Sequence, residues 1–167
     1  MAHLTAINLT TLNLHTPYHC EEIAYGYRFE TDSGFVYDLT FLRYPTLNER
    51  HEYVLYMFNI EQVKKGKVSA DVRIQITIEY ILSLFFENNT DAVVVVMDSS
   101  DGKHYARKRL FDKWYYQSRK LTIEKYEASC NTEEIEIVTM LFVDKNNPFK
   151  YIILSDYYEL VKLNFYS

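Results

Sequence analysis

Four glycines, three prolines, two cysteines and one tryptophan are all that 167 residues contain, and each scarcity removes a class of protein. So little glycine leaves no glycine-rich loop to cradle phosphate and no flexible linker, so no domain boundary is drawn. No apolar run reaches the roughly eighteen residues of a membrane helix, and no membrane partner is expected. Cys20 and Cys130 lie far apart, so free thiols in a reducing cytoplasm are expected rather than a disulfide framework. Residues 1–14 hold no Lys or Arg, and Thr5, Asn8, Thr10, Thr11 and Asn13 interrupt their apolar positions, unlike an export signal. Repeats and low-complexity tracts are absent as well.

What the chain does have is aromatic: 16 Tyr and 10 Phe, within a 48% hydrophobic composition and a net charge of -5. Tyrosine excess reads as strands, and a chain of this size buries roughly 70% of its unfolded surface without staples. One domain over residues 1–167 is expected, with residues 1–20 as a loosely attached segment.

Alternation of Tyr25, Tyr27 and Phe29, the turn Asp32-Ser33-Gly34, and alternation of Tyr37, Leu39 and Phe41 predict a hairpin. A third strand is predicted over 53–60, after a loop with Pro45 and Asn48 and before a turn at 64–67. Ile74, Ile78, Ile81, Leu82 and Phe85 then recur at helical spacing, predicting a helix over 71–87 closed by Asn88-Asn89. The valine run 92–97 reads as a strand buried on both faces and central in its sheet. A polar loop over 98–102 follows, with Ser100 or Asp101 placed to cap a helix over 103–118. Further strands are predicted at 121–128, 135–143 and 151–154, with turns at 131–132 and 145–148 and Ser155 capping a short terminal helix. The fold class is therefore α+β: a mixed, mainly antiparallel sheet with two main helices in the order βββαβαβββ, ending in the short helix.

Arg107 breaks the local pattern. On a helical wheel it falls beside Leu110, Phe111 and Trp114, in the apolar stripe, while Lys108, Arg109 and Lys113 fan outward. A guanidinium does not shed its proton to ease burial, so Arg107 calls for a carboxylate partner, with Asp98 and Asp101 nearest in sequence. One reading ties the loop to the helix. The other makes Asp98, Asp101, Arg107 and Arg109 an anion-binding pocket at the strand's C-terminal end.

Residues 103–125 also concentrate eight of the eighteen Lys and Arg, against Asp112 and Glu124. With Tyr105, Trp114, Tyr115 and Tyr116 interleaved, Lys103, Lys108 and Lys113 form a candidate nucleic-acid stripe. A solvated helix face explains the same residues in an acidic protein. Glu30 or Asp32, Glu79 and Asp98 suggest a divalent-metal nuclease only loosely, since Asp32 suits its turn and Glu79 leaves the apolar stripe. His15, His19 and Cys20 lack a fourth ligand, and Pro17 disrupts their alignment, so no metal or other cofactor is assigned. His104 beside Tyr105 reads as a surface histidine rather than a general base.

The hairpin, the helix around 77–86, the aspartate loop and the run Arg107-Lys108-Arg109-Leu110-Phe111-Asp112-Lys113-Trp114 together support a resemblance. Asp101, Gly102, Arg107, Arg109, Phe111 and Trp114 match a pattern Asp-Gly-x4-Arg-x-Arg-x-Phe-x-x-Trp, and the chain resembles an uncharacterised Bacteroidota family of small proteins of unknown function. The resemblance implies a bacterial cytosolic protein and transfers no activity. The expectation from the residues is a non-enzymatic binding or interaction domain whose partner is another protein, with a homodimer among the options. The alternative is a phosphate-directed enzyme or nucleic-acid binder built around Asp98, Asp101 and Arg107.

Overall fold

The computed structural model describes residues 7–44, 53–64, 70–87, 91–117 and 122–165. Elements run α1 (Leu9–His15), β1 (Cys20–Ile23), β2 (Gly26–Glu30), β3 (Val36–Arg43), β4 (Val54–Gln62), α2 (Val72–Phe85), β5 (Asp91–Asp98), α3 (His104–Gln117), β6 (Ile123–Asn131), β7 (Glu136–Asp144) and α4 (Lys150–Phe165). The sheet is mixed and mainly antiparallel, in the order β1-β2-β3-β4-β5-β7-β6. The expected α+β class holds, and the valine strand β5 lies inside the sheet as its two-sided apolar run required. The expected loop with Pro45 and Asn48, most of the turn at 64–67 and the Asn88-Asn89 stop lie outside the described residues.

The chain divides into two compact units, Met1–Leu42 with Phe58–Asn88, and Arg43–Met57 with Asn89–Ser167. The first holds the predicted hairpin, β2 against β3, in a register that sets Tyr27 opposite Leu39 and Phe29 opposite Tyr37. Its core is aromatic: Phe41 stacks on Phe85 of α2 at 4.7 Å and lies 4.8 Å from Phe58. Residues 7–20, within the segment expected to attach loosely, include α1 and bury Leu12, Tyr18 and Cys20. Asp71 caps α2, accepting from the Arg73 N–H at 3.0 Å and from the Tyr18 hydroxyl.

The second unit is a three-layer arrangement that follows from strand alternation. On one face of β5, β6 and β7, α4 covers Ala92, Val94, Leu141 and Val143 with Ile153, Tyr157, Leu160 and Val161. On the other, Phe111 and Trp114 of α3 pack on Phe142, ring centroids 6.2 and 5.1 Å apart.

The order needs correction at both ends. A helix and a short strand, α1 and β1, precede the hairpin, and the strand expected at 151–154 is the first turn of α4. Ser155 consequently lies inside that helix and caps nothing. The run Tyr151-Ile152-Ile153-Leu154 has strand-like composition, yet Ile153 is buried while Tyr151 and Ile152 are exposed. The buried positions 153, 157, 160 and 161 keep a helical period. The start signal was Asn147-Pro148: the Asn147 side chain accepts from the Phe149 N–H at 2.9 Å, and proline suits the first helical position.

Candidate functional site

Local chemistry shapes the loop that links β5 to α3. Asp98 closes β5 and turns its carboxylate back on Ser100, accepting from that residue's N–H at 2.9 Å and from its hydroxyl. Those bonds hold the Asp98 carboxyl below its ordinary range. Gly102 takes φ +69°, a left-handed conformation that costs glycine nothing, and lets the chain turn into the helix. Asp101 accepts from the Lys103 N–H at 2.9 Å, just outside α3.

Arg107 finds the carboxylate partner its position called for, and it is Asp101. One guanidinium nitrogen lies 3.1 Å from Asp101 Oδ1 and the other bonds Oδ2, a two-pronged pair. Arg107 holds the Asp101 carboxyl low, with the Lys103 N–H adding to the effect. Both side chains are near two-fifths exposed, so the pair sits at the rim of the apolar stripe rather than within it. Arg109 is exposed on another face of α3.

A second cluster escaped the sequence reading. His104 is buried, with a side chain 9% exposed, which corrects its expected place on the surface. Its Nε2 lies 3.2 Å from Glu136 Oε2, and the Tyr105 hydroxyl donates to the same carboxylate at 2.8 and 2.9 Å. The bond to Glu136 raises the Tyr105 phenol. Glu136 opens β7, and its backbone is bonded to Ser99: Ser99 N–H to the Glu136 carbonyl at 3.0 Å, Glu136 N–H to Ser99 Oγ at 2.9 Å. Glu136 thus ties the start of β7 to the end of β5 through its backbone and to the start of α3 through its carboxylate. His104 Nδ1 is buried without a hydrogen-bond partner among the described residues. Nothing in the sequence pairs residues 104 and 136; only the register of β5 against β7, with Asp98 opposite Ile137, does so.

The candidate nucleic-acid stripe is interleaved with carboxylates in the fold. Lys108 binds Asp112 at 2.8 Å and Glu127 at 3.4 Å, and Lys125 binds Asp112 at 2.5 Å and Glu127 at 3.0 Å. Burial pushes the Asp112 carboxyl up, but the two lysines outweigh it and hold it low. Lys103 and Lys113 are exposed. The aromatics divide, with Trp114 in the core, Tyr116 in solvent, and the Lys125 ammonium 5.3 Å from each of the Tyr115 and Tyr116 rings.

Of the carboxylates of the nuclease alternative, Glu30 is exposed and the other three are engaged by neighbours. Asp32 pairs with Arg73 at 2.5 Å, Glu79 accepts from Gln75 at 2.5 Å, and Asp98 serves Ser100. His15 stacks on Tyr80 at 5.6 Å, and the Cys20 thiol, which contacts Thr16 and the Tyr18 carbonyl, is pushed up by burial to about 11. Among the described residues, no three His, Cys, Asp or Glu side chains gather as a metal site would require. Nor is any described helix long and apolar enough to cross a membrane.

At the far end of the sheet lies a third feature. β6 closes the strand order, and exposed tyrosines flank it on both sides. Tyr151 and Tyr158 of α4 are 80% and 47% exposed, and Tyr116 of α3 is 76% exposed. Tyr126 of β6 donates to Glu124 at 2.7 Å, a bond that raises its phenol to about 12. Lys150 reaches Glu124 at 3.2 Å and lies 5.2 Å from the Tyr151 ring.

A family model described as a family of unknown function (DUF6169) matches residues 70–159. No curated protein matches the chain. Among solved structures, a CoA-dependent acyl-homoserine lactone synthase, MesI, aligns at 15% identity with a TM-score of 0.38, covering 78% of this chain and 69% of that one. A likeness of that strength carries no argument about chemistry.

Proposed function

Because the chain belongs to the family of unknown function DUF6169, whose description supplies no activity, we propose from its geometry a non-enzymatic protein-interaction domain. Its binding surface is the end of the sheet, β6 with Tyr116, Tyr151 and Tyr158 beside it. The observation that carries this reading is the exposure of those three large aromatics around one terminal strand. Tyrosine brings wide apolar area and a polar tip at little entropic loss, which is why it recurs among interface anchors. The resemblance in residues 101–114 supports a bacterial, Bacteroidota origin, and two buried cysteines outside any disulfide suit a reducing cytosol.

The test compares tagged wild type with Tyr151→Ala/Tyr158→Ala as baits in a lysate of the source cells, an untagged copy of the chain included. The variant should lose proteins that wild type retains, at an unchanged melting temperature. Identical sets on both baits would sink the reading.

One observation favours the alternative of a small-ligand site at the β5–α3 loop: the buried Nδ1 of His104, next to Glu136, has no hydrogen-bond partner among the described residues. Buried polar atoms without partners recur where ligands bind. That reading expects a phosphate compound, nucleotide or short nucleic acid to raise the melting temperature of wild type but not of Arg107→Ala or Asp98→Asn. Against it, Asp101 already neutralises Arg107, and Asp98 is engaged by Ser100.

A further inference from the structure

The outer edge of β6 can be resolved residue by residue. The β6–β7 ladder pairs Ile123 with Asp144 at one end and Asn131 with Glu136 at the other. Just outside it, the Lys145 N–H donates to the Thr122 carbonyl at 2.7 Å and the Thr132 N–H to the Ile135 carbonyl at 2.9 Å. In an antiparallel ladder, hydrogen-bonded and non-bonded pairs alternate. The flanking pairs 122/145 and 132/135 are both of the bonded kind and separated by an even number of steps, so one alternation spans the whole strand. The backbones of Glu124, Tyr126 and Ala128 therefore bond β7, and those of Ile123, Lys125 and Glu127 point away from the sheet.

Such an edge is a template for another strand, and proteins usually guard it with charge. Here the charge is self-complementary: Lys125-Tyr126-Glu127 reads the same, with signs exchanged, when a second copy runs antiparallel. We infer that two copies of this chain pair through β6, antiparallel about Tyr126, with each Lys125 opposite Glu127 of the other copy. This names the occupant of the surface proposed above and rests on that reading.

Charge selects the register. Centring on Glu127 would oppose two carboxylates, and centring on Lys125 two ammonium groups, both repulsive across a strand pair. Centring on Tyr126 makes 125 with 127 a bonded pair, because both residues carry outward backbone groups, and makes Tyr126 with Tyr126 a close non-bonded pair. Lys108 and Asp112 join on the α3 side, so each copy brings two cations and two carboxylates to the seam. On the α4 side Tyr126 meets its counterpart, and Tyr158 and Tyr151, close enough to influence its hydroxyl, widen the aromatic face. The contact is isologous and closes as a dimer.

Light scattering after size exclusion, on the full chain over a dilution series, tests this. Wild type should run at twice the 19.9 kDa of one chain. Lys125→Glu and Glu127→Lys, each of which puts like charges in register, should run as monomers where wild type is dimeric. An equimolar mixture of the two should recover the dimer, since every opposed pair is again of opposite sign. If Lys125→Glu misfolds through loss of its bond to Asp112, Glu127→Lys, which leaves that bond in place, carries the test alone and should be monomeric where wild type is dimeric. A monomeric wild type at every concentration, or charge variants as dimeric as wild type, would overturn the inference. If wild type is monomeric while Tyr151→Ala/Tyr158→Ala still strips proteins from the bait, self-pairing falls and the interaction reading stands.

Discussion

Gly26 and Asp91 show what single positions in this chain demand. A Cβ on Gly26 would lie 1.8 Å from the Leu39 carbonyl oxygen, a backbone atom fixed by the β2–β3 register. No rotamer relieves that clash, so Gly26→Ala should lose about 3 kcal/mol or more, the upper end of overpacking, in a urea melt. Asp91 opens β5 in a buried place, where burial pushes its carboxyl up to about 6, against the partial relief of the Val54 N–H. Below pH 3.8 folded and unfolded chains both hold the proton. Between 3.8 and 6 the unfolded chain releases it first, so this group's contribution to stability falls as pH rises. Above 6 the fold carries the whole penalty, roughly 3 kcal/mol at about 1.4 kcal/mol per pH unit. Asp91→Asn keeps an acceptor for Val54, so the difference between variant and wild-type stability should be flat below pH 4 and grow in the variant's favour up to pH 6. A difference that does not change with pH would refute this. Neither position was legible in the sequence: glycine before a tyrosine strand and aspartate before a valine run look ordinary until the neighbouring strand is known.

Among the elements, legibility followed period. The hairpin, α2 and β5 were readable because alternation, helical spacing and a two-sided apolar run are distinct signals. α4 was misread because β-branched composition at its start outweighed the cap Asn147-Pro148, and α1 is only two turns long. The Arg107 partnership was readable as a need for a carboxylate, since wheel position and fixed charge are properties of the sequence. The Glu136 junction was not, because it depends on strand pairing across thirty-two residues. Glu136→Ala would leave His104 Nε2 buried without its partner, in addition to Nδ1. A buried group stripped of its bond costs about 1–3 kcal/mol, so the variant should melt earlier. Hydrogen exchange in the first turn of α3 should quicken with it, while α4, on the opposite face, keeps its protection. Arg107→Ala should leave the melting temperature close to wild type, because its pair is open to solvent.

For the molecule as a whole, the open matter is cooperativity, and the two thiols report on it. The chain passes between its compact units at 42/43, 57/58 and 88/89, and the middle crossing falls inside β4. A strand shared in this way cannot lose one half of its ladder without disturbing the backbone of the other half, so one cooperative transition is expected, in keeping with a single domain. Cys20 belongs to the first unit and Cys130 to the second, and both are buried. In the native state Cys20 is doubly protected, by burial and by a thiol held near 11, since only the thiolate attacks an alkylating reagent. Pulse alkylation along a urea series, read by peptide mass for each cysteine, should therefore give two labelling curves with one midpoint. Separate midpoints would instead establish two domains that unfold independently, with the earlier curve naming the weaker one. The same measurement on the Lys125→Glu/Glu127→Lys pair of single variants, mixed and unmixed, carries the test of self-pairing to the scale of stability. If β6 joins two copies, both midpoints should rise together with protein concentration in wild type and in the mixture, and stay fixed in either variant alone, because association stabilises only the folded chain.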